Sequence, residues 1–186
     1  MNNPSVCVFC GSRPGNAPQY AEVARRLGAL LAARGWRLVY GAGDAGIMGA
    51  VAAAAQAAGG ETLGVIPRHL LHREARSLAG AVVTETMHER KKVMYMNSDA
   101  VVVLPGGSGT LDEFFEIVTW RQLGLHHKPV FLLNEGGFWD PLVTLVRHVI
   151  DEGFAGEDFA GLFTACPSLA ALESALDAAL GPGAAA

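Results

Sequence analysis

Three times in this chain an apolar run of strand length ends in a cluster of glycines and passes into a segment of helical spacing. Val6-Cys7-Val8-Phe9-Cys10 leads to Gly11-Ser12-Arg13-Pro14-Gly15. Arg37-Leu38-Val39-Tyr40 leads to Gly41-Ala42-Gly43-Asp44-Ala45-Gly46. Ala100-Val101-Val102-Val103-Leu104 leads to Pro105-Gly106-Gly107-Ser108-Gly109. Strands that alternate with helices need crossover connections, and right-handed crossovers build a parallel sheet covered by helices on both faces. The spacing therefore predicts an α/β fold. Ligands of such sheets sit at the carboxyl ends of the strands, where all three glycine loops fall.

The same reading places strands at 5–10, 37–40, 62–66, 81–84, 100–104 and 129–133, with a short extended piece near 162–165. Helices are predicted at about 17–34, from the second glycine loop to about 58, and at 87–98, 110–124, 139–151 and 168–180. The irregular stretch 67–78 carries His69, His72, Arg73, Glu74 and Arg76. It reads equally as a site-lining segment or a mobile surface loop. Residues 181–186 read as a frayed tail. There is no internal linker or repeat, and 186 residues that are 51% hydrophobic fit one domain, 1–186, with a sizeable core.

Composition excludes several classes. A net charge of -4 gives no basic footprint for nucleic acid. Met1-Asn2-Asn3-Pro4 lacks a leader pattern, and the apolar tracts are too short to span a bilayer, so a cytoplasmic protein without membrane contact is expected. Cys7 and Cys10 form a C-x-x-C, but within a strand their odd offset sends the side chains to opposite faces. They read as core cysteines, not as a redox or zinc pair. The six histidines show no metal-ligand spacing, and there is no Ser-His-Asp signature. No metal and no cofactor are expected.

The third loop carries the chemistry. Gly106, Gly107, Gly109 and Thr110 bring backbone N–H groups and a hydroxyl to a helix start, which is a seat for phosphate. Glu113 is placed in the first turn, solvent-facing beside that seat, where a carboxylate repels a bound anion and so points to work on the ligand. Gly41, Gly43 and Gly46 satisfy G-x-G-x-x-G, but the following strand ends Val65-Ile66-Pro67-Arg68 without the acidic residue that would hold a dinucleotide ribose, and Glu61 lies at its start. A nicotinamide enzyme is thereby disfavoured. Met87-His88-Glu89-Arg90-Lys91-Lys92 opens a helix. Arg90 and Lys91 are about 100° apart on it, so at most one or two of its charges face one ligand.

Taken together, Pro105–Glu113 as P-G-G-x-G-T-x-x-E, Met87–Lys91 as M-H-x-R-K and Gly41–Gly49 as a variant of G-G-G-x-x-G-L-M-G resemble the Lonely Guy family. So do Gly11-Ser12 and Thr119–Gly124 with Lys128-Pro129-Val130. These are cytokinin riboside 5′-monophosphate phosphoribohydrolases, often mislabelled lysine decarboxylases. The likeness covers about residues 5–150, with Ala42 in place of a glycine and Asp112 in place of a common glutamate. It implies a Rossmann-like three-layer sandwich, usually a homodimer, and hydrolysis of the N-glycosidic bond of a nucleoside 5′-monophosphate. It also implies Arg90 and Glu113 as the catalytic pair. The implied substrate contacts are Arg90, Lys91, the run Gly106, Gly107, Ser108, Gly109, Thr110, Leu111 and Asp112, and Thr119. A non-catalytic nucleotide-sensing module would use the same loops. The consecutive Met94, Tyr95 and Met96 cannot all face the sheet, which fits a second subunit.

Overall fold

The computed structural model describes residues 3–71 and 81–181. His72, Arg73, Glu74, Arg76 and the tail beyond Gly181 lie outside the described residues. Seven strands, β1 (Ser5–Phe9), β2 (Arg37–Tyr40), β3 (Thr62–Pro67), β4 (Ala81–Thr84), β5 (Ala100–Val103), β6 (Val130–Leu133) and β7 (Thr164–Cys166), form one sheet in the order β4-β3-β2-β1-β5-β6-β7. Every pairing is parallel. The helices are α1 (Pro18–Ala33), α2 (Gly46–Ala57), α3 (Met87–Met96), α4 (Ser108–Gln122), α5 (Asp140–Asp151) and α6 (Leu169–Leu180), with 3-10 turns at Arg68–Leu70 and Glu157–Leu162.

Period-two alternation on the central strands divides the core. Val6, Val8 and Cys10 pack with α1, α2 and α6 on one face, while Cys7 and Phe9 pack with α3, α4 and α5 on the other. The two cysteines are therefore free, buried and in separate layers. Burial holds both thiols well above their ordinary range, with the nearby Glu113 charge adding to it.

From β1 the sheet grows outward through β2, β3 and β4 in one direction and through β5, β6 and β7 in the other. The crevice between β1 and β5 is thus the topological switch point, the place where ligands enter an open α/β sheet. The loops leaving these strands touch there, with Gly11 N–H donating to the Pro105 carbonyl at 3.0 Å.

Helix limits shift by up to two residues from the sequence reading. The helix expected from 110 begins at Ser108, because Gly107 is its N-cap and its carbonyl takes the Leu111 N–H. Glu113 accordingly stands in the second turn, not the first. The helix expected to reach 98 stops at Met96, where the Asn97 side chain bonds the Val93 carbonyl and the Ser98 hydroxyl bonds the Tyr95 carbonyl. Such side-chain bonds satisfy carbonyls that the next turn would have used.

Gly46 links two of the glycine loops. Its φ is +62, and a Cβ there would fall 2.4 Å from the Ser12 carbonyl carbon and oxygen. Left-handed backbone and collision with main chain add, so Gly46→Ala is expected to cost about 2–4 kcal/mol. Denaturant titration checks this; an unchanged midpoint would show that the β1 loop can shift freely.

Candidate active site

Local structure fixes the start of α3 first. Thr86 and Glu89 form a reciprocal cap, with the Glu89 N–H donating to Thr86 Oγ1 at 3.1 Å and the Thr86 N–H to Glu89 Oε2 at 3.2 Å. That cap sets the rotation of the helix, and the next two residues, Arg90 and Lys91, both turn inward toward α4. Each is only 5% exposed.

Arg90 Nη1 donates to Glu113 Oε1 at 2.6 Å and its Nε to the Val65 carbonyl at 3.2 Å. Lys91 Nζ lies 2.9 Å from both Asp112 Oδ2 and Glu116 Oε2. The expectation of a solvent-facing Glu113 is corrected: it is 6% exposed, packed beneath the helix start and held by the guanidinium. Glu116, half-buried against Lys91, is a partner in this stitching of α3 to α4.

Burial pushes the Glu113 carboxyl above the ordinary glutamate range, and the charge and hydrogen bond of Arg90 only partly oppose it. Lys91 moves up, since its two carboxylate partners outweigh its desolvation. Lys128 is the lysine that burial lowers. It donates to the Tyr95 carbonyl at 2.6 Å and sits 3.9 Å over the Tyr95 ring, ahead of β6 at the opposite end of the sheet from the glycine loops.

A cavity of about 640 Å³ opens at the switch point. Its floor is Arg90 and Glu113. One wall is the stretch Pro105–Thr110, the other is Cys10 with the β1 loop Gly11–Gly15, and the rest is Tyr20, Ile47, Met48, Leu70, Met87 and Phe138. Gly107 and Gly109 face open space, whereas a Cβ at Gly106 would meet Thr110 Oγ1 at 2.1 Å. No side chain caps α4 and no acidic residue stands in its first turn, so its leading N–H groups are left for a ligand.

Of the residues expected at the site, the structure gathers Arg90, Gly106, Gly107, Ser108, Gly109, Thr110 and Glu113 around this cavity. It does not bring Lys91, Leu111, Asp112 or Thr119 to its surface. Lys91 is engaged by the two carboxylates, Leu111 packs on the α3–α5 side of the core, and Asp112 points outward. Thr119 is exposed six residues after Glu113, roughly 9 Å further along the helix axis. Sequence reasoning missed Ser12, Arg13 and the apolar wall. The glycines of the first loop were visible, but only the strand order sets that loop against Pro105.

Residues 48–176 match a family model described as "Possible lysine decarboxylase". The chain is 44% identical over 165 residues to a probable cytokinin riboside 5′-monophosphate phosphoribohydrolase of Oryza sativa subsp. japonica, covering 88% of this chain and 67% of that protein. It is 42% identical over 165 residues to a cytokinin riboside 5′-monophosphate phosphoribohydrolase of Arabidopsis thaliana, covering 88% and 78%. In fold it is similar to the molybdenum cofactor binding protein of Rippkaea orientalis, with a TM-score of 0.73 at 23% identity over 96% of this chain and 98% of that one. The molybdenum cofactor carrier protein of Chlamydomonas reinhardtii gives the same TM-score of 0.73 at 23% identity, covering 96% and 99%. These two show a shared Rossmann-like architecture. Schiff-base decarboxylation would call for a lysine in the cavity, and among the described residues none lines it. The matched family model, the identity with the two phosphoribohydrolases and the sequence signatures now assembled around one crevice agree: the chain belongs to the Lonely Guy family.

Proposed function

We propose that this protein hydrolyses the N-glycosidic bond of a nucleoside 5′-monophosphate, a cytokinin riboside 5′-monophosphate or AMP, releasing the free base and ribose 5-phosphate. The observation that carries this reading is the buried Arg90–Glu113 pair, 2.6 Å apart, on the floor of a cavity walled by an uncapped, glycine-rich helix start. The phosphate binds the N–H groups of Ser108, Gly109 and Thr110. The apolar wall of Ile47, Met48, Leu70 and Met87 receives the base. The ribose C1′ then lies over Glu113.

Cleavage moves the glycosidic electron pair onto the base and positive charge onto the ribose ring. Glu113 stabilises that charge and accepts a proton from the water that attacks C1′, while the departing base takes up a proton from solvent, so that the net change is the addition of one water. Arg90 lines the cavity and holds the carboxylate in place through Nη1. A pure sensor would gain nothing from a carboxylate buried beside its phosphate seat, which counts against the non-catalytic reading. Incubating the purified protein with AMP and measuring adenine tests the proposal; tight binding without any adenine release would favour the sensor.

A homodimer is proposed as the working assembly. Met87, Met96, Leu123 and Leu125 are exposed on α3 and at the end of α4, at 37%, 64%, 68% and 66%. Apolar groups on neighbouring elements suit a subunit contact. Light scattering is expected to report twice 19.5 kDa; a monomer at micromolar concentration would remove the second subunit from the reading.

A further inference from the structure

Gly41 poses a question that the motif around it does not answer. The loop Gly41–Gly46 takes a left-handed backbone at Ala42, with φ 59, and at Gly46. Gly41 itself is not at positive φ, so its backbone does not demand a glycine. A methyl group built on it would fall 1.8 Å from Arg90 Nη2, 2.9 Å from Arg90 Cζ and 3.1 Å from Met48 Sδ. The far end of a flexible arginine would ordinarily swing away. This one is pinned at two other points, Nε on the Val65 carbonyl and Nη1 on Glu113, and is buried. Met48 is also tied to the loop, since its sulfur accepts the Gly43 N–H at 3.1 Å.

We propose that Gly41 is a positioning residue for Arg90: the bare backbone at this position is the surface on which the guanidinium lies while it holds Glu113. The loop carries alanine at its first left-handed position, 42, and glycine at 41, where the φ is ordinary and the Arg90 side chain must fit. The contact itself stands on geometry alone; its link to catalysis rests on the reading of Arg90 and Glu113 given under the proposed function. Any side chain at 41 must either lift the guanidinium off Glu113 or move the loop and Met48 with it.

The test is a cycle in two backgrounds, the full chain and the same chain carrying Arg90→Ala with Glu113→Gln, which leaves no unpaired charge in the pocket. In the full chain Gly41→Ala is expected to lower the melting temperature by roughly 3–10 °C, as overpacking does. In the neutralised background only the 3.1 Å approach to Met48 Sδ remains, and the loss should shrink to roughly a third or less of that in the full chain. An equal loss in both backgrounds would mean that the methyl offends the loop, and would overturn the proposal.

Activity provides a readout that stability does not. With AMP, kcat of Gly41→Ala should fall on the order of 10²-fold. KM should stay within a few-fold, because the phosphate seat is on another loop. Coupling in stability with unchanged kcat would keep the contact and sink the catalytic reading of the pair. Lost kcat without coupling would sink the positioning role and keep that reading.

Discussion

Glu113→Gln is expected to lower adenine release from AMP by a factor on the order of 10²–10³, the usual effect of removing one preorganised electrostatic group. Glutamine keeps the shape beneath the glycine loop and an oxygen for Arg90 Nη1, but cannot take a proton from water. The substitution also leaves a guanidinium that is 5% exposed without its counter-charge. Some stability is lost as well, since removing one partner of a buried pair can cost about 3–5 kcal/mol. Circular dichroism and a melting curve separate this cost from the catalytic one. Near wild-type turnover by a folded Glu113→Gln protein would end the catalytic assignment.

The same carboxyl sets a pH dependence. Burial raises Glu113 above its ordinary value of 4.5, the Arg90 charge only partly opposing this. If the carboxylate is the working form, the acid limb of kcat lies above 4.5 and disappears in Glu113→Gln. The effect on stability has the opposite sense. A carboxyl whose folded value is raised binds its proton more tightly in the native state, so its contribution is fully present below 4.5 and is lost as pH rises through the folded value.

The second large effect concerns the phosphate. Adenosine is expected to be cleaved with kcat/KM lower than AMP by roughly 10²–10⁴. Two charge-assisted hydrogen bonds at about 1.5–3 kcal/mol each, with about 1.4 kcal/mol per tenfold, set that range. The start of α4 provides the donors, and binding energy from this remote group is available at the glycosidic bond. Gly106→Ala isolates the seat. Its methyl would meet Thr110 Oγ1 at 2.1 Å and the Gly11 main-chain nitrogen at 2.8 Å, so it should impair AMP cleavage and leave the low activity on adenosine unchanged. Equal kcat/KM for the two substrates would remove the phosphate seat from the mechanism.

Much of this molecule is legible in local pattern. Apolar runs that end in glycine and pass into helical spacing define the parallel sheet, and all seven strands fall within two residues of their expected limits, the last shifting most, to Thr164–Cys166. The odd offset of Cys7 and Cys10 is enough to separate them into two cores. The glycine loop before α4 is visible as an anion seat because helix starts and glycine act over a few residues. What lies beyond that range is decided by the tertiary structure. Arg90 and Glu113 are twenty-three residues apart and meet only because α3 and α4 lie on the same side of the sheet, where their long side chains reach each other. Glu113 looked solvent-facing because burial is a property of neighbours, and its neighbours come from α3, β1 and the loop after β1. The two lysine-rich positions after Arg90 divide in the same way, Lys91 inward to Asp112 and Glu116 and Lys92 outward. Gly41 is the sharpest case. From sequence it is one glycine of a G-x-G-x-x-G pattern, whereas packing sets it against an arginine from another helix, since excluded volume acts between atoms close in space however far apart they are in the chain.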